Sequence, residues 1–236
     1  MSLRARLFLT ITVISLLILG AAQACADLIE EKNFEAKDAT TFNKVEYSIF
    51  VEAEDNILYL MQDGKCVKAY PIASGRSGHP SPIGYWKIID KSDWGGGFGG
   101  RWMGLDVPWG MYGIHGTSKE NTIGSPASAG CIRMYNDDVA ELYDIVPIGT
   151  PVTIVNGSFG PFGQGFATIY PGDRGTDVME IQRRLKDLGY YDDVLDGIYQ
   201  DDLKKAIHKF QKDHKLRVKN EITKEDWNAM GFREFE

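Results

Sequence analysis

His115 and Cys131 stand sixteen residues apart in the stretch IHGTSKENTIGSPASAGCIRM, residues 114 to 134, where glycine, serine and threonine fill much of the gap. A thiol at its free pKa of about 8.5 is mostly protonated near neutral pH, and an imidazole that takes its proton makes the sulfur a nucleophile. That chemistry requires both side chains at one point and sets no particular spacing. Gly116 leaves its backbone carbonyl open to orient the second ring nitrogen of the histidine, the task of an Asp or Asn in other triads. Gly130 lets a substrate carbonyl approach the main chain, and the N–H groups around Ala129 to Cys131 can cradle an oxyanion. On spacing alone three readings stay open: a cysteine nucleophile with its base, a metal site, or a buried structural cysteine near an unrelated loop histidine.

Other chemistry-bearing residues read more blandly. Gly95 to Gly100 satisfies G-x-G-x-x-G, but RWMGLDVPWG follows it without a helical period, which argues against a dinucleotide site and for a mobile lip beside the His115 and Cys131 region. DDVLDGIYQDD resembles a calcium loop until Val194 and Leu203 fall on ligand positions, so it is read as a turn. His208 and His214 do not share a helix face and cannot pair as metal ligands. His79 lies in a Gly/Pro/Ser loop, and Cys66 in a strand run is read as a small buried apolar residue. None of these residues builds a metal or organic-cofactor site. A redox pair between Cys66 and Cys131 has no local C-x-x-C spacing behind it and would consume the cysteine of interest.

The elements that must carry these residues fall in two blocks. From Tyr47 onward short β-rich runs follow one another, YSIFVEA, ILYLMQDGKCVKAYPIAS, GYWKII and TPVTIVN, with Asp63-Gly64 as a hairpin turn between two of them. This predicts a β-rich domain over 45–155, with one short helix at NDDVAELYDIV, capped by Asn136 or Asp137 and packed through Val139, Leu142 and Tyr143. A Gly-rich linker, 156–167, separates it from a helical block over 168–236. There Asp177 to Glu180 reads as a capping box before Val178, Ile181, Leu185 and Leu188. Leu203, Ala206, Ile207 and Phe210 mark a second helix, and Thr223 to Asp226 opens a third with Trp227 and Met230 inward. The fold class is therefore α+β, a β-rich sandwich or barrel-like domain followed by a small three-helix domain.

The remaining sequence bears on location. Arg4 and Arg6 precede an apolar run from Leu7 to Leu19 and a small-residue stretch ending at Ala26, the pattern of a secretory signal over 1–26, with an uncleaved anchor as the alternative and 27–44 as linker. Cleavage there removes two arginines and no acid, taking the net charge from −7 to −9. An acidic chain without a basic patch argues against a nucleic-acid partner.

HGTSKENTIGSPASAGCIRMYNDD resembles the signature of the L,D-transpeptidases with a YkuD-type catalytic domain, H-G-T, a gap, then S-x-G-C-I/V-R-M/L. DGKCVKAYPIASGR, SPIGYWKI, RWMGL and IVPIGTPVTI extend the resemblance across most of 45–155. It implies Cys131 as nucleophile, His115 as proton donor and acceptor, Gly116 as the residue that orients the histidine, and Ser128 and Arg133 as residues lining the site. Many members carry histidine where this chain has Ala129, so any side-chain role there is absent. Residues 168 to 231 resemble the three-helix peptidoglycan-binding domain of wall-active enzymes, with Gln200 and Leu203 in place of its glycine and threonine, and Tyr190, Tyr191 and Tyr199 available either to stack on sugars or to pack between helices. The resemblance implies an exported cell-envelope enzyme that forms 3→3 cross-links between peptidoglycan stem peptides, binds the glycan, and is acylated by carbapenems. An L,D-carboxypeptidase with water as acceptor and a non-catalytic wall-binding protein are the alternatives.

Overall fold

The computed structural model describes residues 45–157 and 166–233; the expected signal, the 27–44 linker and residues 158–165 of the Gly-rich linker lie outside them. Eight strands form the first block: β1 (Tyr47–Glu52), β2 (Ile57–Gln62), β3 (Lys65–Ala73), β4 (Gly84–Ser92), β5 (Trp102–Leu105), β6 (Tyr112–His115), β7 (Ile132–Met134) and β8 (Pro151–Val155). They close into a barrel in the order β1-β2-β3-β7-β6-β5-β4-β8. Neighbours run antiparallel except for β1 with β8 and β6 with β7, which are parallel. Alternation explains the core. Ile49 and Val51, Leu58 and Leu60, Trp86 and Ile88, and Val152 and Ile154 are spaced by two and all point inward, each contributing about 1.5–3 kcal/mol on burial.

Asp63 and Gly64 both adopt left-handed φ, 50° and 77°, which makes the expected hairpin turn of the type whose twist matches its strands. Strands β5 to β7 escaped the periodicity because they have only four, four and three residues and β5 is buried on both faces, so no alternation marks them. Cys66 on β3 is half-buried rather than a core residue.

Helix α1 (Asn136–Ile145) follows β7 at once. Its cap position is Tyr135, not Asn136 or Asp137, and no side chain caps it. Asn136 is used instead to brace the site described below. Val139 and Leu142 are buried as the spacing demands.

The second block holds α2 (Thr176–Asp187), α3 (Asp201–Asp213) and α4 (Lys224–Ala229) around a separate core of Val178, Ile181, Leu185, Leu203, Phe210 and Trp227. Leu188 ends α2 exposed instead of joining that core. The Asp177–Glu180 capping box is absent, because α2 begins at Thr176 behind Gly175, which places Asp177 inside the first turn. Thr223 and Asp226 do form a capping box on α4. Tyr191 and Tyr199 are packed inside, while Tyr190 is half-buried against Phe210. Gln182, fully buried, donates to Asp196 Oδ1 at 2.7 Å and accepts from the Gly197 N–H at 2.8 Å, tying the Asp196-Gly197 turn to α2. Among the described residues no helix is long and apolar enough to cross a membrane, and no group of three or more His, Cys, Asp or Glu side chains is placed to hold a metal ion.

Candidate active site

The parallel pair β6 and β7 sets the geometry. Ile114 faces Ile132 and His115 faces Arg133, with both isoleucines in the barrel core. Side chains alternate along a strand and partners across a pair share a face. His115, Arg133 and Cys131, the residue just before β7, therefore lie together on the face opposite the core, with Gly113 at the level of Cys131. β5 extends this face, since Trp102 pairs with His115 and Gly104 with Gly113. A Cβ on Gly113 would sit 2.6 Å from the Trp102 ring, so only glycine lets the indole lie flat here.

A roof covers the histidine. The 93–100 loop turns back through a short 3-10 segment, Gly96–Phe98. Phe98 approaches the His115 ring at 4.8 Å between centroids, Trp102 at 5.6 Å, and Trp94 stacks on Trp102 at 4.6 Å. His115 is left 4% exposed. Of the glycines here it is Gly99, an x position of G-x-G-x-x-G, that serves this packing; a Cβ on Gly95, Gly97 or Gly100 would meet nothing within 4 Å. Gly99, at φ 62°, lies so close to Gly116 and Thr117 that an added Cβ would fall 2.6 Å from the Thr117 nitrogen. Asn136 completes the knot, its Oδ1 accepting from the Thr117 N–H at 2.9 Å. That residue was missed in the sequence because NDD reads first as a helix cap.

His115 Nδ1 lies 2.5 Å from the Gly116 carbonyl oxygen. A carbonyl only accepts, so Nδ1 carries the proton and Nε2 keeps its lone pair. Burial under the aromatic roof pulls the imidazole down to about 4, against the Gly116 bond, which favours the protonated ring, and with a smaller push downward from Arg133. For Cys131 burial pushes the thiol up, opposed by a hydrogen bond from the Gly113 backbone and by the Arg133 charge. Both groups therefore rest neutral near pH 7.

The turn before Cys131 is braced from below. Ser128 is fully buried; its hydroxyl donates to the Cys131 carbonyl at 2.6 Å and accepts from the Gly130 N–H at 2.9 Å. This corrects two expectations. The Ser128 hydroxyl holds the Cys131 turn and is buried away from any substrate, and the Gly130 N–H is taken up within the turn and withdrawn from the set of oxyanion donors. Gly130, at φ 115°, is also not a gap for substrate, because a Cβ there would meet the Tyr112 ring at 2.6 Å. Behind Ser128, the Ser74 carbonyl accepts from the Ser128 N–H at 2.9 Å, and Ser74 Oγ donates to Asn56 Oδ1 at 2.8 Å. Asn56 and Ser74 had no sequence signal beyond being polar residues in β-rich runs. Arg133 is half-buried, its guanidinium 3.5 Å from the Ala127 carbonyl, on the same face as His115. Cys66 and Cys131 are not joined in a disulfide. His79 is exposed on a loop that packs against the Cys131 turn, with the Arg76 N–H donating to the Ser128 carbonyl and the Pro80 carbonyl beside Gly130, whereas His208 contacts Asn220 and His214 stacks on Phe210 in the helical block.

The closed barrel presents histidine and cysteine on one face under an aromatic roof, and comparison with known proteins places this domain in a class. Residues 46–154 match the L,D-transpeptidase catalytic domain and residues 174–230 a peptidoglycan binding domain. YkuD of Bacillus subtilis, named as an L,D-transpeptidase, is 43% identical over 111 residues, covering 47% of this chain and 66% of its own length. YqjB of the same organism, named likewise, is 33% identical over 124 residues, covering 46% of this chain and 70% of its own length. The catalytic domain of the Enterococcus faecium L,D-transpeptidase, solved by NMR, is 26% identical over 46% of this chain and 96% of that one, with a TM-score of 0.41. The chain belongs to the L,D-transpeptidase family and carries a C-terminal peptidoglycan-binding domain.

Proposed function

We propose that the protein is a peptidoglycan L,D-transpeptidase that forms 3→3 cross-links through a thioacyl enzyme on Cys131. The observation that carries this reading is the bond from His115 Nδ1 to the Gly116 carbonyl, which leaves Nε2 as a base on the face that Cys131 occupies. In the first step Nε2 takes the thiol proton as sulfur attacks the carbonyl joining the third stem residue to the terminal D-alanine. His115 then passes that proton to the departing amine, and the C–N bond breaks as the C–S bond remains. In the second step a side-chain amine of a neighbouring stem attacks the thioester, His115 removes its proton, and the thiol is restored. Atoms balance without a metal or organic cofactor.

Arg133 supplies a fixed positive charge beside both reacting groups, suited to the carboxylate of the terminal residue. The aromatic roof keeps water from the histidine, which favours an amine over water as acceptor. Export to the envelope and residence at the wall follow from the substrate, and a carbapenem is expected to acylate the same thiol. Incubation with a disaccharide tetrapeptide tests the activity. Released D-alanine together with a dimer joined between third residues supports transfer, D-alanine with tripeptide alone makes the protein a carboxypeptidase, and neither product overturns catalysis in favour of a wall-binding protein.

A further inference from the structure

The helical block is docked on the barrel, and its contact point leads to the nucleophile. Thr176 Oγ donates to the Ile83 carbonyl at 2.9 Å, Met179 is buried within the barrel's own core cluster, and Leu195 and Ile198 pack against that cluster. Gly197, at φ 66°, lies directly on the Trp109 indole, where a Cβ would fall 2.4 Å from the ring. Trp109 is 4% exposed on the loop between β5 and β6, held edge-on by Trp86 at 5.3 Å and by Tyr112 at 6.5 Å. The Tyr112 ring in turn covers Gly130, next to Cys131.

We propose that Trp109 is a positioning residue for the Cys131 turn, clamped by the Asp196-Gly197 turn of the helical block, so that the wall-binding module is a working part of the catalytic domain and not a tethered accessory. The Asp196-Gly197 dipeptide of the helical block here serves the contact between the two domains. The proposal rests on Cys131 as the nucleophile. Met179, Leu195 and Ile198 make the contact largely apolar beside the one Thr176 hydrogen bond, and burial of apolar surface favours holding two domains in one arrangement.

The test reads the thiol directly, so it stands whether or not the cross-linking reaction is the right one. Full-length protein, Trp109→Leu, Trp109→Phe, Thr176→Val and Met179→Lys are alkylated with iodoacetamide across pH, with Cys66 as internal reference, alongside circular dichroism and turnover of a stem peptide. In folded Trp109→Leu and Met179→Lys, Cys131 is expected to react several-fold faster and with a midpoint at lower pH, because the Tyr112 cover loosens. Turnover is expected to fall on the order of tenfold, within the roughly hundredfold that a shift of about 1 Å can cost. Trp109→Phe should restore most of both. If Met179→Lys does not fold, Thr176→Val provides the same reading in milder form. Folded variants whose Cys131 profile superimposes on the parent overturn the proposal, as does equal loss in Trp109→Phe and Trp109→Leu.

Discussion

At the residue scale, burial favours the neutral form of both His115 and Cys131. A histidine near its ordinary pKa would be partly protonated at neutral pH, whereas His115, lowered to about 4 by burial, is wholly available as a base. The acid limb of kcat/KM is therefore expected near pH 4, and a limb near 6.5 would show that the roof does not exclude water. The same shift bears on stability. The unfolded chain takes the proton first as pH falls, so the contribution of neutral His115 is fully present above about 6.5 and is lost between there and about 4. At roughly 1.4 kcal/mol per pH unit this loss is on the order of 3 kcal/mol, and denaturant titrations of parent and His115→Gln over that window should differ accordingly. Asn136→Ala removes the acceptor of the Thr117 N–H and unlocks the Gly99 and Gly116 contact. It is expected to cost about 1–3 kcal/mol of stability and to lower kcat more than it changes KM, as judged by thermal unfolding and steady-state rates. Unchanged kcat would assign Asn136 to folding alone.

At the element scale, what the sequence disclosed followed the length of its patterns. Strands β1 to β4 and β8 run over five to nine residues with β-rich composition and could be read, as could the helices of the second block. The site was legible as a motif but not as geometry. His115 and Cys131 share a face because β6 and β7 are adjacent and parallel, a pairing that no local pattern announces and that puts a sixteen-residue crossover between the two strands. Ser128 illustrates the limit most clearly: its place in the motif suggested a substrate contact, and its hydroxyl is spent within the turn. Gly130→Ala should accordingly act on the nucleophile turn. A Cβ against Tyr112 at an unfavourable φ should displace Cys131 and cut acylation steeply, while a fully active variant would mean the turn has slack. In the helical block, Thr223→Ala removes one half of the capping box and should lower stability by about 1 kcal/mol without altering Cys131 chemistry.

At the scale of the whole molecule, the barrel supplies a rigid face, the glycine-rich loop supplies a roof, and the helical block steadies the loop that leads into β6. Domains joined only by a linker unfold separately, but shared apolar packing couples them. Met179 within the barrel core predicts a single transition for the described domains, seen alike by near- and far-ultraviolet dichroism, and two resolved transitions would show the blocks to be independent. The claim on which the rest depends is that Cys131 carries the acyl group. Intact-protein mass spectrometry of the chain incubated with a disaccharide tetrapeptide, beside Cys131→Ala, tests it most directly. The account predicts an adduct equal to substrate minus D-alanine, present in the parent and absent in the variant; a folded parent that shows neither adduct nor released D-alanine would contradict it.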